Sequence, residues 1–189
     1  MLIKKYTSDW VKQFEDIKLE LDQALTGLEY HIEHVGSTAI PKLDAKPIID
    51  IDIFYKTTND FKNIKSALIA LGYHHNGNQG IENREVFKRN GSSPNSILDT
   101  IPHHLYVCPS GSKPLERHIL MRNYLRKNDA ARIIYQEMKY QLAEKANQDK
   151  KRYAQLKELN VNQFIDDIIE KEKNATLHRL HPNNKHPTK

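Results

Sequence analysis

Asp50 and Asp52 stand two residues apart in Ile48-Ile49-Asp50-Ile51-Asp52-Ile53, an apolar run with the character of a strand. Alternate side chains of a strand share a face, so the two carboxylates point the same way. Like charges this close are costly unless a cation neutralises them. A hard cation such as magnesium does so, and it usually arrives with substrate phosphates. Ahead of the pair lies His34-Val35-Gly36-Ser37-Thr38-Ala39-Ile40-Pro41. A glycine lets backbone close on a phosphate, and the Ser37 and Thr38 hydroxyls and nearby amides can donate to its oxygens. Lys46 adds positive charge near the same strand. The chemistry predicted is magnesium-assisted handling of a nucleoside triphosphate such as ATP, with Asp50 and Asp52 as metal ligands and Gly36, Ser37, Thr38 and Lys46 at the phosphates. No Gly-Lys-Ser/Thr is present, which excludes a Walker loop. The plain alternative is an ordinary turn followed by a strand with two solvated aspartates.

These residues need a scaffold, and the hydrophobic periodicity supplies one. Trp10, Phe14, Ile17, Leu21 and Leu25 recur at three- and four-residue steps, so a helix is predicted behind Ser8 or Asp9, ending at Gly27. Tyr30 to Val35 and Pro47 to Tyr55 read as strands flanking the Gly-Ser loop. A helix capped by Thr57 or Thr58 carries Phe61, Ile64, Leu68 and Leu71 on one face. Arg84 to Arg89 and Ile101 to Cys108 are the remaining strands, with an irregular excursion through Gly91 to Asn95 between them. From Ser112 the texture turns helical, with a second helix capped by Asp129 and a third over about Asp149 to Lys173. The expectation is one domain over 1–173, an α/β (α+β) body over 1–110 packed with a helical part over 111–173, and a disordered polar tail over 174–189.

Charge and composition narrow the partners. The formal charge is +5, but Arg179, Lys185 and Lys189 lie in the last eleven residues, leaving about +2 on the body. That is thin for nucleic acid, which asks for a dense basic stripe, and ample for a small anion. No apolar run is long enough to cross a membrane, and Met1 to Trp10 lacks a signal-peptide core, so a cytoplasmic location is expected. Cys108 is the single cysteine, which precludes an internal disulfide.

The Gly-Ser turn, the gap and the alternating acidic and apolar residues resemble the nucleotidyltransferase superfamily. A closer resemblance, to the GrpB family, is carried by His34 to Pro41 with Lys46-Pro47-Ile48-Ile49-Asp50-Ile51-Asp52. It extends through Leu71-Gly72-Tyr73, Arg84 with Phe87, His103 to Val107, Arg122-Asn123-Tyr124-Leu125-Arg126, Tyr135 with Lys139, and Tyr153 with Lys157. The resemblance implies a nucleotidyltransferase-like mixed sheet with flanking helices. Two positions depart from the family pattern: Lys42 stands where glycine is usual, and Asn123 where aspartate is usual, removing a possible partner of Arg122 or Arg126.

Nucleotidyltransferases also carry a third carboxylate on a following strand. Here that strand offers His103 and His104, with Asp99 and Glu85 the nearest acids in sequence. His104 is therefore predicted as a base or a metal ligand beside Asp50 and Asp52, and the alternative is a satisfied polar residue on a half-buried strand. His103, His104, Cys108 and His118 fit no common zinc spacing. Arg84, Arg122, Lys139 and Lys157 are predicted to neutralise phosphate, against the alternative of a solvated helical face. The function expected is metal-dependent nucleotidyl transfer to a small acceptor. The alternative is a binding module that has kept the fold and lost turnover.

Overall fold

A computed structural model describes the backbone of residues 1–180 and the side chains of residues 1–171. The described residues form a five-stranded mixed sheet and six helices. The strands are β1 (His31–Val35), β2 (Ile49–Tyr55), β3 (Tyr73–His75), β4 (Glu85–Arg89) and β5 (His103–Pro109). Their order across the sheet is β1-β2-β5-β4-β3, with β2 and β5 parallel and every other pair antiparallel.

Period-two patterning gives the sheet two unlike faces. Ile49, Ile51 and Ile53 of β2 are buried together with Leu105 and Val107 of β5 and Phe87 of β4. They pack against Trp10, Phe14, Ile17 and Leu21 of α1 (Asp9–Ala24), Ile64 and Leu68 of α2 (Thr58–Ala70), and Leu98 of α3 (Ser96–Thr100). Burying each isoleucine contributes roughly 2 kcal/mol, and a one-residue slip of β2 would exchange them for the aspartates. Register is thus fixed from the apolar side, and the acidic side inherits its geometry. α2 begins with a capping box: Asp60 N–H donates to Thr57 Oγ1 and Thr57 N–H to Asp60 Oδ2.

The opposite face is partly covered by α4 (Lys113–Lys127), which contacts β1 and β5 and packs with α5 (Asp129–Lys145) and α6 (Lys150–Leu180). Leu125, Tyr135, Leu142, Tyr153, Val161 and Ile168 form a second core there, joined by Leu2, Ile3, Ile40 and Leu43. The N-terminal strap is seated on this helical part. Leu2 N–H donates to Gln148 Oε1 at 2.7 Å, Lys4 bridges to Ala45, and Tyr6 N–H donates to Asp44 Oδ1 at 2.9 Å.

Several expectations are adjusted. Ser8 makes no side-chain cap, and α5 is capped by Asn128 rather than Asp129, through Ala131 N–H to Asn128 Oδ1. β3 and α3, three and five residues long, are additions too short to carry a readable period. α6 runs to Leu180, past the predicted end at Lys173, so residues 174–180 of the tail expected to be disordered over 174–189 are helical instead; residues 181–189 of that tail lie outside the described residues. Among the described residues no helix is long and apolar enough to cross a membrane.

Candidate active site

The aspartates lie on the face of β2 turned away from the isoleucines, where the register sets Asp50 beside His104 and Asp52 beside Tyr106. His104 Nδ1 is 2.9 Å from Asp50 Oδ1. His118, reaching across from α4, places Nδ1 2.8 Å from Asp52 Oδ2. A neutral imidazole held to a carboxylate through Nδ1 donates its proton there and keeps a lone pair on Nε2. Two aspartate–histidine dyads therefore stand side by side, each with a basic nitrogen turned away from its carboxylate.

The carboxylates differ in surroundings. Asp52 is completely buried, and its Oδ1 has no hydrogen-bond partner. An orphaned carboxylate oxygen in a dry setting is costly and calls for a cation. Burial pushes the Asp50 carboxyl up, but the hydrogen bond from His104 and the nearby positive charge of Lys157 outweigh it and hold the group below the ordinary carboxylate value. Asp50 thus stays ionised beside its neighbour.

The Gly-Ser loop is built around this pair. Gly36 adopts φ +71° and ψ −170°, and a Cβ there would fall 2.2 Å from Asp50 Oδ2. Only glycine allows the turn and the approach together. Ser37 to Ala39 form a short 3-10 turn that leaves Ser37 half-buried. Thr38 is buried and braces the loop, its hydroxyl donating to Ile48 O at 3.3 Å and lying 3.1 Å from His34 Nε2. His34 stacks on Phe14 with ring centroids 4.6 Å apart. Burial lowers its pKa to about 4, aided by Arg126 and Arg122 and opposed by Asp50, so the ring is neutral near pH 7.

Two lysines from separate elements feel the charge of Asp50. Lys157 of α6 is half-buried, and Tyr135, Tyr153 and Asp50 outweigh burial to raise its pKa. Lys46, just ahead of β2, has its pKa lowered by burial and by the charges of Lys150 and Lys157, against the pull of Asp50. Lys46 Nζ sits 5.8 Å from the centre of the Tyr153 ring. Like charges gathered beside a carboxylate, over an aromatic face, make a place for a polyanion. On the Asp52 side, the Arg84 guanidinium lies over the Tyr106 ring at 4.8 Å, and its Nε is buried without a hydrogen-bond partner.

The other predicted cations are committed to the scaffold. Arg122 is buried; its Nη1 donates to Glu33 Oε2 at 2.5 Å and to His34 O at 2.8 Å, tying α4 to β1. Its Nε donates to Asn123 Oδ1 at 3.1 Å, so asparagine here still serves as a partner. Arg126 grips Ala39 O through Nε and Nη2 at 2.9 and 2.7 Å. Lys139 is fully buried, donates to Asp44 O and lies 4.9 Å from the centre of the Tyr135 ring. His103 faces away from the pair, with Nδ1 2.7 Å from Ile101 O and Nε2 2.7 Å from Tyr73 Oη. Among the described residues, no three His, Cys, Asp or Glu side chains form a group able to hold a metal. A cation here would rest on the two aspartates and on the substrate's own oxygens, which is how magnesium is commonly held. The orphaned Asp52 oxygen fits that role.

His118 could be read in sequence only as an outlying histidine, because its approach to Asp52 joins residues 66 apart. Asp44 carried no signal at all. Its carboxylate accepts from Tyr6 N–H at 2.9 Å and Tyr140 Oη at 2.8 Å and pairs with Lys5 at 3.0 Å, fixing the chain just ahead of Lys46.

A family model described as GrpB protein matches residues 1–171. The protein YqkA of Bacillus subtilis (strain 168) is 32% identical over 138 residues, covering 73% of this chain and 38% of YqkA itself. The crystal structure of the conserved protein GrpB from Enterococcus faecalis superposes with a TM-score of 0.73 at 27% identity, covering 93% of this chain and 99% of that one. The structure of Cid1 in complex with the UTP analog UMPNPP superposes with a TM-score of 0.52 at 13% identity, over 75% of this chain and 43% of Cid1. That likeness, to a poly(U) polymerase, shows a shared nucleotidyltransferase fold.

Proposed function

The chain belongs to the GrpB family, and on that footing we propose that it transfers a nucleotidyl group from a nucleoside triphosphate to a small acceptor with the help of magnesium. The observation that carries this reading is Asp52 Oδ1, buried and unpartnered beside a second, ionised aspartate under a glycine loop. Cid1 is described with a UTP analog, which suggests the same ligand class here.

In this reading Asp50 and Asp52 hold the cation, whose contribution when bound is to screen the carboxylates and withdraw charge from the reacting phosphate. Backbone of Gly36 and the Ser37 hydroxyl would receive the phosphate tail, with Lys46 and Lys157 countering its charge. An acceptor hydroxyl oxygen then bonds to the α-phosphorus while the bond to the bridging oxygen breaks, and pyrophosphate leaves with that electron pair. The hydroxyl proton passes to His118 Nε2, the lone-pair nitrogen left by the bond to Asp52. His104 orients Asp50 in the same manner.

The test is calorimetric titration of the whole protein with Mg-ATP, Mg-UTP, Mg-GTP and Mg-CTP. At least one nucleotide is expected to bind in a magnesium-dependent way, and binding should disappear in the Asp50→Asn, Asp52→Asn double variant. Unchanged binding in that variant sinks the proposal. One observation favours a second reading, a non-catalytic nucleotide-binding module: β5 sets His104 and Tyr106, not a third carboxylate, beside the aspartates. Pyrophosphate release with any acceptor would decide against it.

A further inference from the structure

The nucleotide reading leaves Arg84 without a task. The polyanion seat of Lys46, Lys157 and Gly36 gathers at Asp50. Arg84 instead stands over Tyr106, the register partner of Asp52, and one strand beyond it. Its charge acts on both Tyr106 and Cys108, as does that of Asp52. Ser112 Oγ, beside the Cys108 thiol at the start of α4, is buried without a nitrogen or oxygen partner, as is Arg84 Nε. His118 stands against the same ring, its ring centre 5.8 Å from that of Tyr106.

The site is thus bipolar: cations lie on both sides of the aspartates, and the Asp52 side carries the basic histidine. In-line displacement requires the attacking hydroxyl to approach opposite the departing pyrophosphate. With the triphosphate tail at Asp50, the acceptor enters from Asp52, between His118 and Arg84. Resting on the nucleotidyl-transfer reading, we propose that the acceptor is itself an anion, a small hydroxylated phosphate ester or carboxylate whose charged group is taken by Arg84. A planar guanidinium stacked on a ring is held in one orientation and can meet either group with two parallel hydrogen bonds. The Ser112 hydroxyl is the third donor of the subsite. A neutral acceptor would leave Arg84 Nε and Ser112 Oγ as unpaired as they are now, so the subsite selects for charge.

Glycerol, glycerol 3-phosphate and glycerate share a three-carbon skeleton with a free hydroxyl, and they separate the two anions from the neutral case. Each is titrated into the whole protein saturated with magnesium and a non-hydrolysable α,β-methylene analogue of whichever nucleotide binds. In parallel, transfer of label from the α-phosphate is measured. Glycerol 3-phosphate or glycerate is expected to bind at least ten times more tightly than glycerol, with whichever of the two wins identifying the anion. Arg84→Ala should remove that preference and leave nucleotide affinity unchanged, while Arg84→Lys should restore part of it. Circular dichroism and thermal melts verify that both variants fold. Equal binding of the three compounds, or binding of none, overturns the proposal. So does a loss of nucleotide affinity in Arg84→Ala, which would move Arg84 to the triphosphate. Each of these outcomes leaves the nucleotide reading standing, since that fails only when no nucleotide binds or when the double aspartate variant still binds.

Discussion

Replacing Gly36 by alanine tests the link between loop and carboxylate most directly. The new Cβ would meet Asp50 at three atoms: Oδ2 at 2.2 Å, Cγ at 2.8 Å and Cβ at 2.9 Å. The first overlap is more than about 1 Å inside ordinary contact. Turning the side chain about its own bonds can move Oδ2 and Cγ but not the third contact, because the Asp50 Cβ is fixed by a strand paired on both sides. Backbone at φ +71° and ψ −170° adds strain of about 1–3 kcal/mol for any L-residue. Loop and strand must therefore separate, with a stability loss of about 2–4 kcal/mol, from backbone strain plus overpacking. Displacing Asp50 by about 1 Å should cost roughly a hundredfold in any activity that depends on it. Urea denaturation measures the first effect, and Mg-nucleotide calorimetry with pyrophosphate release measures the second. A Gly36→Ala protein with native stability and native nucleotide affinity would falsify the assignment of Gly36 to a cradle against Asp50.

Two further predictions concern stability. Lys42 is exposed and left-handed at φ +64°. Lys42→Gly should relieve about 1–2 kcal/mol of strain against a smaller gain in unfolded-chain entropy, for a net stabilisation of about 0.5–1 kcal/mol; a lower urea midpoint would contradict this. His34 has its pKa lowered to about 4 in the fold against 6.5 unfolded, so the unfolded chain binds the extra proton between those values. Its contribution is flat above about pH 6.5 and is lost as pH falls towards 4, amounting to about 2 kcal/mol by pH 5. The difference in unfolding free energy between pH 7 and pH 5 should shrink by that amount in His34→Gln, and an unchanged difference would rule out a buried neutral His34.

Much of this architecture was legible because it is written at short range. The isoleucine alternation around Asp50 and Asp52 places both carboxylates on one face, and the β2 register agrees. Gly36 reads as a close-approach glycine, although what it approaches proves to be the carboxylate itself. Lys46 and Lys157 both feel the charge of Asp50, though one precedes β2 and the other lies on α6. What sequence could not resolve is how a charge is used once packing decides. Arg122 and Lys139 look like phosphate ligands by type, yet they satisfy backbone carbonyls of His34 and Asp44 in buried settings. A cation read from a chain is only a positive group; the acceptors around it are set by tertiary neighbours. His118 was illegible for the same reason, since the helix phase that aims it at Asp52 depends on how α4 docks.

The strap from Leu2 to Tyr6 also has a consequence in time. Leu2 finds its hydrogen-bond partner, Gln148, 146 residues further along. At ordinary rates of translation that interval is on the order of ten seconds. For most of it, Leu2 and Ile3 lack the helices of the core they join, because those helices have yet to emerge. The strap is therefore among the last parts to settle, and a nascent protein stalled before α5 would display its apolar side chains for chaperones to cover.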